Sequence, residues 1–386
     1  MAARRVNSAG QIASIGSGLP RLDYLTSGGT VGTPALLVEP AATNLALQSQ
    51  DFLTTWAPTN ITVTTGSTAA FTAPDGTTTA DLLTASASGS ARIIQSFTFV
   101  SGTTYSYSAF AKAGSGFFGL TMENGGIGSG VAVIWNLNTG AFTVSGTTGA
   151  GYTLQSQGIE NYGNGWYRCR MTVLLGLNVA GNIRANTSDG TMSSVVIQSA
   201  SGNTAYVWGA QLETGSVATS YIPTTTGTGS RSSDLVSATG AVSGSIGQTE
   251  GTIYAEVDIR NVGLGEGSIV TLFQASNNYV EILRGTLNRI QASITDSAGS
   301  TALTTTTNFI TANSIYKIAL GYKSGEFALY INGTQVATSS AARTIGGLTT
   351  VRLGSYSASF IFNDRIRAAA LYTTRLTNQQ LQLLTT

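Results

Sequence analysis

The chain has 386 residues, enough for two or three domains, with hydrophobic residues at 42% and charged residues at only 10%. Its 19 basic and 18 acidic residues form no basic stripe, and no apolar run approaches the ~18 residues of a membrane span, so neither nucleic-acid binding nor membrane insertion is expected. There is no His and a single Cys, Cys169, which excludes Ser-His-Asp and Cys-His catalysis within the chain and argues against a zinc site; no metal and no cofactor is expected.

Gly is frequent at 47 and Pro scarce at 6, with Thr and Ser throughout, the makeup of a β-rich protein with many turns. Residues 1–45 read as an extended N-terminal arm for attachment or docking. Gly10, Gly16, Gly18, Gly28, Gly29 and Gly32 break regular elements, leaving isolated apolar anchors such as Ile12, Leu19, Leu22 and Leu36. Arg4 and Arg5 are not followed by an apolar stretch, so no secretory signal is expected.

Residues 46–223 read as a first β-sandwich. Alternating or apolar runs at Ile61–Thr64, Arg92–Val100, Tyr105–Lys112, Phe117–Met122, Val131–Leu137, Gly140–Ser145, Trp166–Leu175, Ser194–Ser199 and Ala205–Gln211 are separated by turns such as Asn138-Thr139-Gly140. Trp135, Trp166 and Trp208 read as core residues, Trp56 lies nearer a loop, and Cys169 reads as a buried thiol in an alternating strand. Glu213 is placed to pair with Arg168 or Arg231. Residues 224–245, poor in apolar side chains, read as a linker after Pro223.

Residues 246–386 read as a second sandwich. Ile253, Ala255, Val257 and Ile259 face a core, while Tyr254, Glu256 and Asp258 face away. Ser268–Phe273, Tyr279–Arg284, Arg289–Thr295 and Ile315–Tyr322 continue the pattern. Asn332-Gly333 between alternating runs signals a tight hairpin. A last strand, Ile366–Tyr372, precedes a short helix, Asn378–Leu384, with Thr377 and Gln380 forming a capping box and Leu376 with Leu381 a hydrophobic staple.

Three strings carry a resemblance. They are Arg21-Leu22-Asp23-Tyr24 with Leu36-Leu37-Val38-Glu39-Pro40 and Thr43-Asn44-Leu45; Asn164-Gly165-Trp166-Tyr167-Arg168; and the segment Val207–Pro223. Together they resemble the β-sandwich module of bacteriophage tail and appendage proteins over residues 20–223. Ala42 stands where that family carries Arg, so an ion pair of the usual module is missing. The hairpin and C-terminal helix resemble the concanavalin-like, or laminin-G-like, jelly roll over residues 250–386. The fold class implied is all-β: two tandem β-sandwich (jelly-roll) domains after an extended arm, with one short C-terminal helix.

Function is implied by resemblance more than by any motif. The expectation is a virion structural protein of a bacteriophage (tail fibre, spike or head appendage) on the virion surface. It would join other virion proteins through its arm, assemble as a homotrimer and adhere to host-surface glycans. A purely architectural decoration or connector protein is the alternative, and a polysaccharide depolymerase the third. The candidate ligand-binding residues are Tyr254, Glu256 and Asp258, an aromatic beside two carboxylates ~6.5–7 Å apart along one strand. Glycosidases of the concanavalin-like fold carry a third alternating acid, and Arg260 stands in its place here, so the chain is expected not to be an enzyme. Asp75, Asp189, Asp234 and Asp296 lie in turns where calcium could bind, without an acid-rich ligand run. The one Gly-rich candidate for a phosphate cradle, Asn124–Gly128, leads into a strand instead of a helix.

Overall fold

The computed structural model describes residues 3–26, 28–125, 129–240, 242–304 and 310–386. These residues are almost all strand and turn, with a single α-helix among them, Asn378–Thr385. The chain divides into two compact units. The first gathers residues 1–17, 24–32 and 42–231, and the second residues 18–23, 33–41 and 232–386.

Among the described residues, the first unit pairs two six-stranded antiparallel sheets. One runs Tyr152–Asn161, Trp166–Leu175, Thr104–Ala113, Thr204–Thr214, Asp81–Ala85, Ile61–Thr65. The other runs Ala141–Thr148, Gly130–Asn136, Phe117–Asn124, Val179–Ser188, Arg92–Phe99, Ala57–Thr59. Their facing sides enclose one core that includes Trp56, Tyr107, Phe118, Trp135, Cys169 and Leu212. Burial pushes the Cys169 thiol well above its ordinary value, as suits an unreactive packing residue. Asp81–Ala85, Tyr152–Asn161 and Val179–Ser188 are strands that the apolar alternation does not reveal. Tyr152–Asn161 is interrupted by a bulge between Leu154 and Ser156, and Val179–Ser188 carries Asn182, Arg184, Asn186 and Ser188 on its outer side.

The closing strand explains its own sequence. Its alternation switches at Gly209, where a bulge opposite Ser108–Phe110 needs a backbone φ of +63°. Val207, Ala210 and Leu212 therefore share the core side, while Trp208 turns outward against Phe110 and Tyr221. A Cβ at Gly209 would come within 2.9 Å of the Phe110 ring. Asn44, fully buried, accepts from the backbone N–H groups of Ala46 and Leu212 and donates to the carbonyls of Ala210 and Ile222. It ties the Thr-Asn segment to the closing strand. Arg168 donates to the Thr219 carbonyl and the Ser108 hydroxyl, and Glu213 accepts from the Thr219 N–H and hydroxyl.

The second unit also stacks two sheets. The six-stranded one runs Val236–Thr239, Thr350–Leu353, Gly267–Ala275, Asn278–Gly285, Arg289–Asp296, Gly299–Thr304. The seven-stranded one runs Thr334–Ser339, Phe327–Ile331, Ser314–Lys323, Glu250–Ile259, Asp364–Tyr372, then Val31–Val38 and Leu22–Leu25. Ile253, Ala255, Val257 and Ile259 enter the shared core with Leu36, Val38, Ile282 and Ile294. Asn332 and Gly333 take φ of 46° and 77° in a two-residue hairpin between Ile331 and Thr334. Thr377 and Gln380 form the capping box, and Leu376 and Leu381 pack with Ala319, Ala328 and Tyr330.

Residues 1–45, expected as an arm, form strands whose anchors are used within the chain. Val6, Ile12 and Leu25 pack in the first unit beside Trp166 and Trp208, and Leu36 and Val38 in the core of the second. The charges of the entry segment are structural: Arg21 lies 2.9 Å from Glu39 and pairs with Asp234, and Asp23 lies 3.3 Å from Arg365. The stretch 224–245 contains two short strands, Gly229–Arg231 paired with Ala42–Asn44, and Val236–Thr239 paired with Thr350–Leu353.

Candidate functional site

Tyr254, Glu256 and Asp258 lie on the outer side of the seven-stranded sheet, opposite the core-facing Ile253, Ala255, Val257 and Ile259. The Tyr254 hydroxyl is 3.4 Å from one Glu256 oxygen, and burial and this carboxylate together raise it above the ordinary tyrosine value. The other Glu256 oxygen accepts from Arg367 at 2.6 Å. Asp258, 8% exposed, accepts from two nitrogens of Arg260, each at 2.9 Å. Arg260 thus neutralises the acid that the sequence pattern offers to a ligand.

The turn acids are likewise engaged. Asp75 and Asp189 accept from Thr77 and Thr191 two residues on, Asp234 from Arg21 and the Glu39 N–H, and Asp296 from the Ala298 N–H. Among the described residues no group of three or more acids or Cys is placed to hold a metal ion. Of Asn124–Gly128, residues 126–128 lie outside the described residues.

A second face, which the sequence reading did not single out, has different properties. It is the outer side of the six-stranded sheet, where a cleft of about 320 Å³ opens. Strand alternation builds its floor. Val270, Leu272, Val280, Ile282, Ala292 and Ile294 turn into the core, so Thr271, Glu281 and Ser293, opposite one another on adjacent strands, face outward. The loop from Ser355 to Ile361 closes on itself by bonds between Tyr356 and Phe360 and between Phe360 and Ser357, raising both rings above the sheet.

Tyr356 is the centre of this wall. Its ring meets Tyr279 at 5.2 Å, Phe273 at 5.6 Å and Phe360 at 6.2 Å, all edge to face. The Arg352 guanidinium lies over Phe273, 3.7 Å from the ring centroid, and 5.9 Å from that of Tyr356, and donates to the Tyr356 carbonyl. These contacts pack the rings against one another, with Tyr279 and Tyr356 half-buried and Phe360 exposed. Glu281 is 6% exposed and lines the cleft, accepting from the Thr271 hydroxyl at 3.2 Å; Thr271 is linked in turn to Ser268 at 2.6 Å. Burial raises the Glu281 carboxyl above the ordinary range, partly offset by the hydroxyls of Ser268 and Thr271, and Glu266 nearby adds to the rise. Gln291, Ser293 and the exposed Glu266 complete the polar side. Rigid aromatic rings beside convergent polar groups are the chemistry of a small-ligand site. The signal was present as outward Tyr279 and Glu281 at spacing two, and as two aromatics bracketing a short loop.

Residues 230–382 match the Concanavalin A-like lectin/glucanases superfamily. That stretch contains the whole cleft. No curated protein sequence matches the chain. Among solved structures, the chain is similar to the CBM40 of the Ruminococcus gnavus IT-sialidase bound to α2,3-sialyllactose, at 13% identity and TM-score 0.33, covering 38% of this chain and 87% of that one. It is also similar to domain 4 of AbnA, a GH43 extracellular arabinanase from Geobacillus stearothermophilus in complex with arabinotriose, at 14% identity and TM-score 0.33, covering 40% and 83%. A SAP-like pentraxin from Limulus polyphemus matches at 14% identity and TM-score 0.29, covering 36% and 70%.

Proposed function

We propose that this chain is a glycan-binding adhesin and that the cleft on the six-stranded sheet of the second unit holds the sugar. The observation that carries this reading is the wall of Tyr279, Tyr356 and Phe360 standing over the buried carboxylate of Glu281. A sugar ring presents an apolar C–H face to an aromatic ring and hydroxyl donors at its edge to a carboxylate or amide. The lectin character of the matched superfamily supports the same class of ligand. The face bearing Tyr254, Glu256 and Asp258 is the alternative place for this activity. Its acids already have guanidinium partners, which favours the cleft. Glycan binding by the purified chain, compared between Tyr356→Ala and Tyr254→Ala, tests the assignment.

The proposed setting is the virion surface of a bacteriophage, as a tail or head appendage, and it rests on the three strings within residues 20–223. A homotrimer is proposed on the same resemblance, and light scattering that finds a monomer at micromolar concentration would remove it. Since most anchors of residues 1–45 are buried within the chain, attachment to other virion proteins would fall to exposed side chains there, such as Leu19 and Leu22. Hydrolysis is a second reading of the cleft, favoured by the presence of two carboxylates, the buried Glu281 and the exposed Glu266. Release of reducing ends from a bound polysaccharide would establish it.

A further inference from the structure

The geometry points to a glycan that carries a protonated amine, with Glu281 as the counter-ion of that amine; this rests on the glycan reading of the cleft. In the second unit, the other buried carboxylates of the described residues all have a guanidinium within 4.0 Å: Asp23 with Arg365, Glu39 with Arg21, Asp258 with Arg260, Asp296 with Arg343 and Asp364 with Arg284. Glu281 is the exception, held only by hydroxyls, and it faces the cleft. A buried carboxylate without a cation is costly to keep charged, and a cation entering from solvent recovers that cost.

The surroundings favour the same charge. Glu266 shares the cleft and has no ion-pair partner among the described residues, so it adds a second negative charge beside Glu281. The rings of Tyr279 and Phe360, which carry no guanidinium, are π systems that attract an ammonium group. Arg352 stacks on Phe273 and stands 5.9 Å from the Tyr356 ring centroid, so it serves those two rings, and Tyr279 and Phe360 are the rings left to a ligand cation. A neutral sugar could use the rings and hydroxyls, but it would leave the Glu281 charge uncompensated. An amino sugar with a free amine supplies both the ring face and the cation.

The test is calorimetric titration of the full chain with glucosamine tetrasaccharide and with its fully N-acetylated counterpart, at neutral pH and low salt. The free-amine oligomer is expected to bind about tenfold tighter or more, the effect of one charge-assisted hydrogen bond. Glu281→Gln keeps the shape and the hydroxyl contacts, and should abolish the preference without shifting the melting temperature downward. Glu266→Gln, at an exposed position, should reduce the preference by a smaller factor. Equal binding of the two oligomers, or a preference that survives Glu281→Gln, overturns the amine assignment while leaving the glycan reading intact. Failure of both oligomers to bind overturns the assignment as well, and a neutral glycan bound by the wild type but not by Tyr356→Ala would show that the cleft still serves sugars.

Discussion

Replacing Phe360 by Ala separates binding from folding at the cleft. The side chain is 43% exposed and meets one other ring, Tyr356, at 6.2 Å. A Phe side chain buries on the order of 200 Å² when fully covered, so roughly 85 Å² of this one faces solvent. A sugar ring covering half of that area would remove about 40 Å² of apolar surface from water, about 1 kcal/mol at ~25 cal/mol/Å². Affinity should therefore fall about fivefold. The folded state loses the buried half of the side chain and one edge-to-face contact, about 3–4 kcal/mol together. For a unit of this size that is a fall in melting temperature of about 6–16 °C. The backbone bonds that close the loop do not involve the Phe360 side chain, so the variant folds. Titration with a bound oligosaccharide and a calorimetric melt measure the two effects. Unchanged affinity with the expected loss of stability would refute the stacking role of the aromatic wall.

Two further outcomes follow from buried polar groups. Asp364 is fully buried and its carboxyl is pushed up to about 7, chiefly by burial, with Arg365, Arg284 and the N–H groups of Arg260 and Asn261 opposing the rise. Because the folded value lies above the unfolded value of about 3.9, its contribution to stability is complete at low pH and is lost as pH rises from about 4 to about 7. Asp364→Asn should flatten that part of the stability profile of the second unit, and an unaltered slope in chemical denaturation would contradict the assignment. Asn44→Ala should destabilise the first unit by about 3 kcal/mol or more, since it leaves two buried carbonyls and two buried N–H groups without their partner; an unchanged denaturation midpoint would exclude that role.

Much of the fold was legible because its signals are local. Strict alternation at Ile253–Ile259, the Asn332-Gly333 turn and the Thr377–Gln380 box each depend on a few neighbouring residues, and all three form as expected. Elements that depend on distant partners were not. Val179–Ser188 reads as polar because its outer residues Asn182, Arg184 and Asn186 find partners on neighbouring strands, including the Arg184–Glu123 ion pair. The arm could not be distinguished from a free segment because Ile12 and Leu36 are buried by residues far away in sequence.

The site followed the same division. Tyr254, Glu256 and Asp258 stand out as a motif, yet the guanidinium of Arg367, more than a hundred residues away, occupies Glu256. The cleft assembles Glu281, Ser293 and the Tyr356 loop from separate strands, and no short window of sequence contains it. Its polar residues looked like an ordinary solvent-facing row of alternating strands. Only the register that puts Thr271 opposite Glu281, and Glu281 opposite Ser293, reveals that they converge.

The measurement that bears most directly on the central claim is a glycan-array and calorimetric comparison of the wild-type chain with Tyr356→Ala and Tyr254→Ala. The account predicts that the wild type binds a defined set of glycans, that Tyr356→Ala weakens binding about tenfold or more, and that Tyr254→Ala leaves it unchanged. Weakening by Tyr254→Ala alone would move the site to the seven-stranded sheet. Absence of binding by the wild type at any valency would contradict the adhesin reading and favour a purely architectural role.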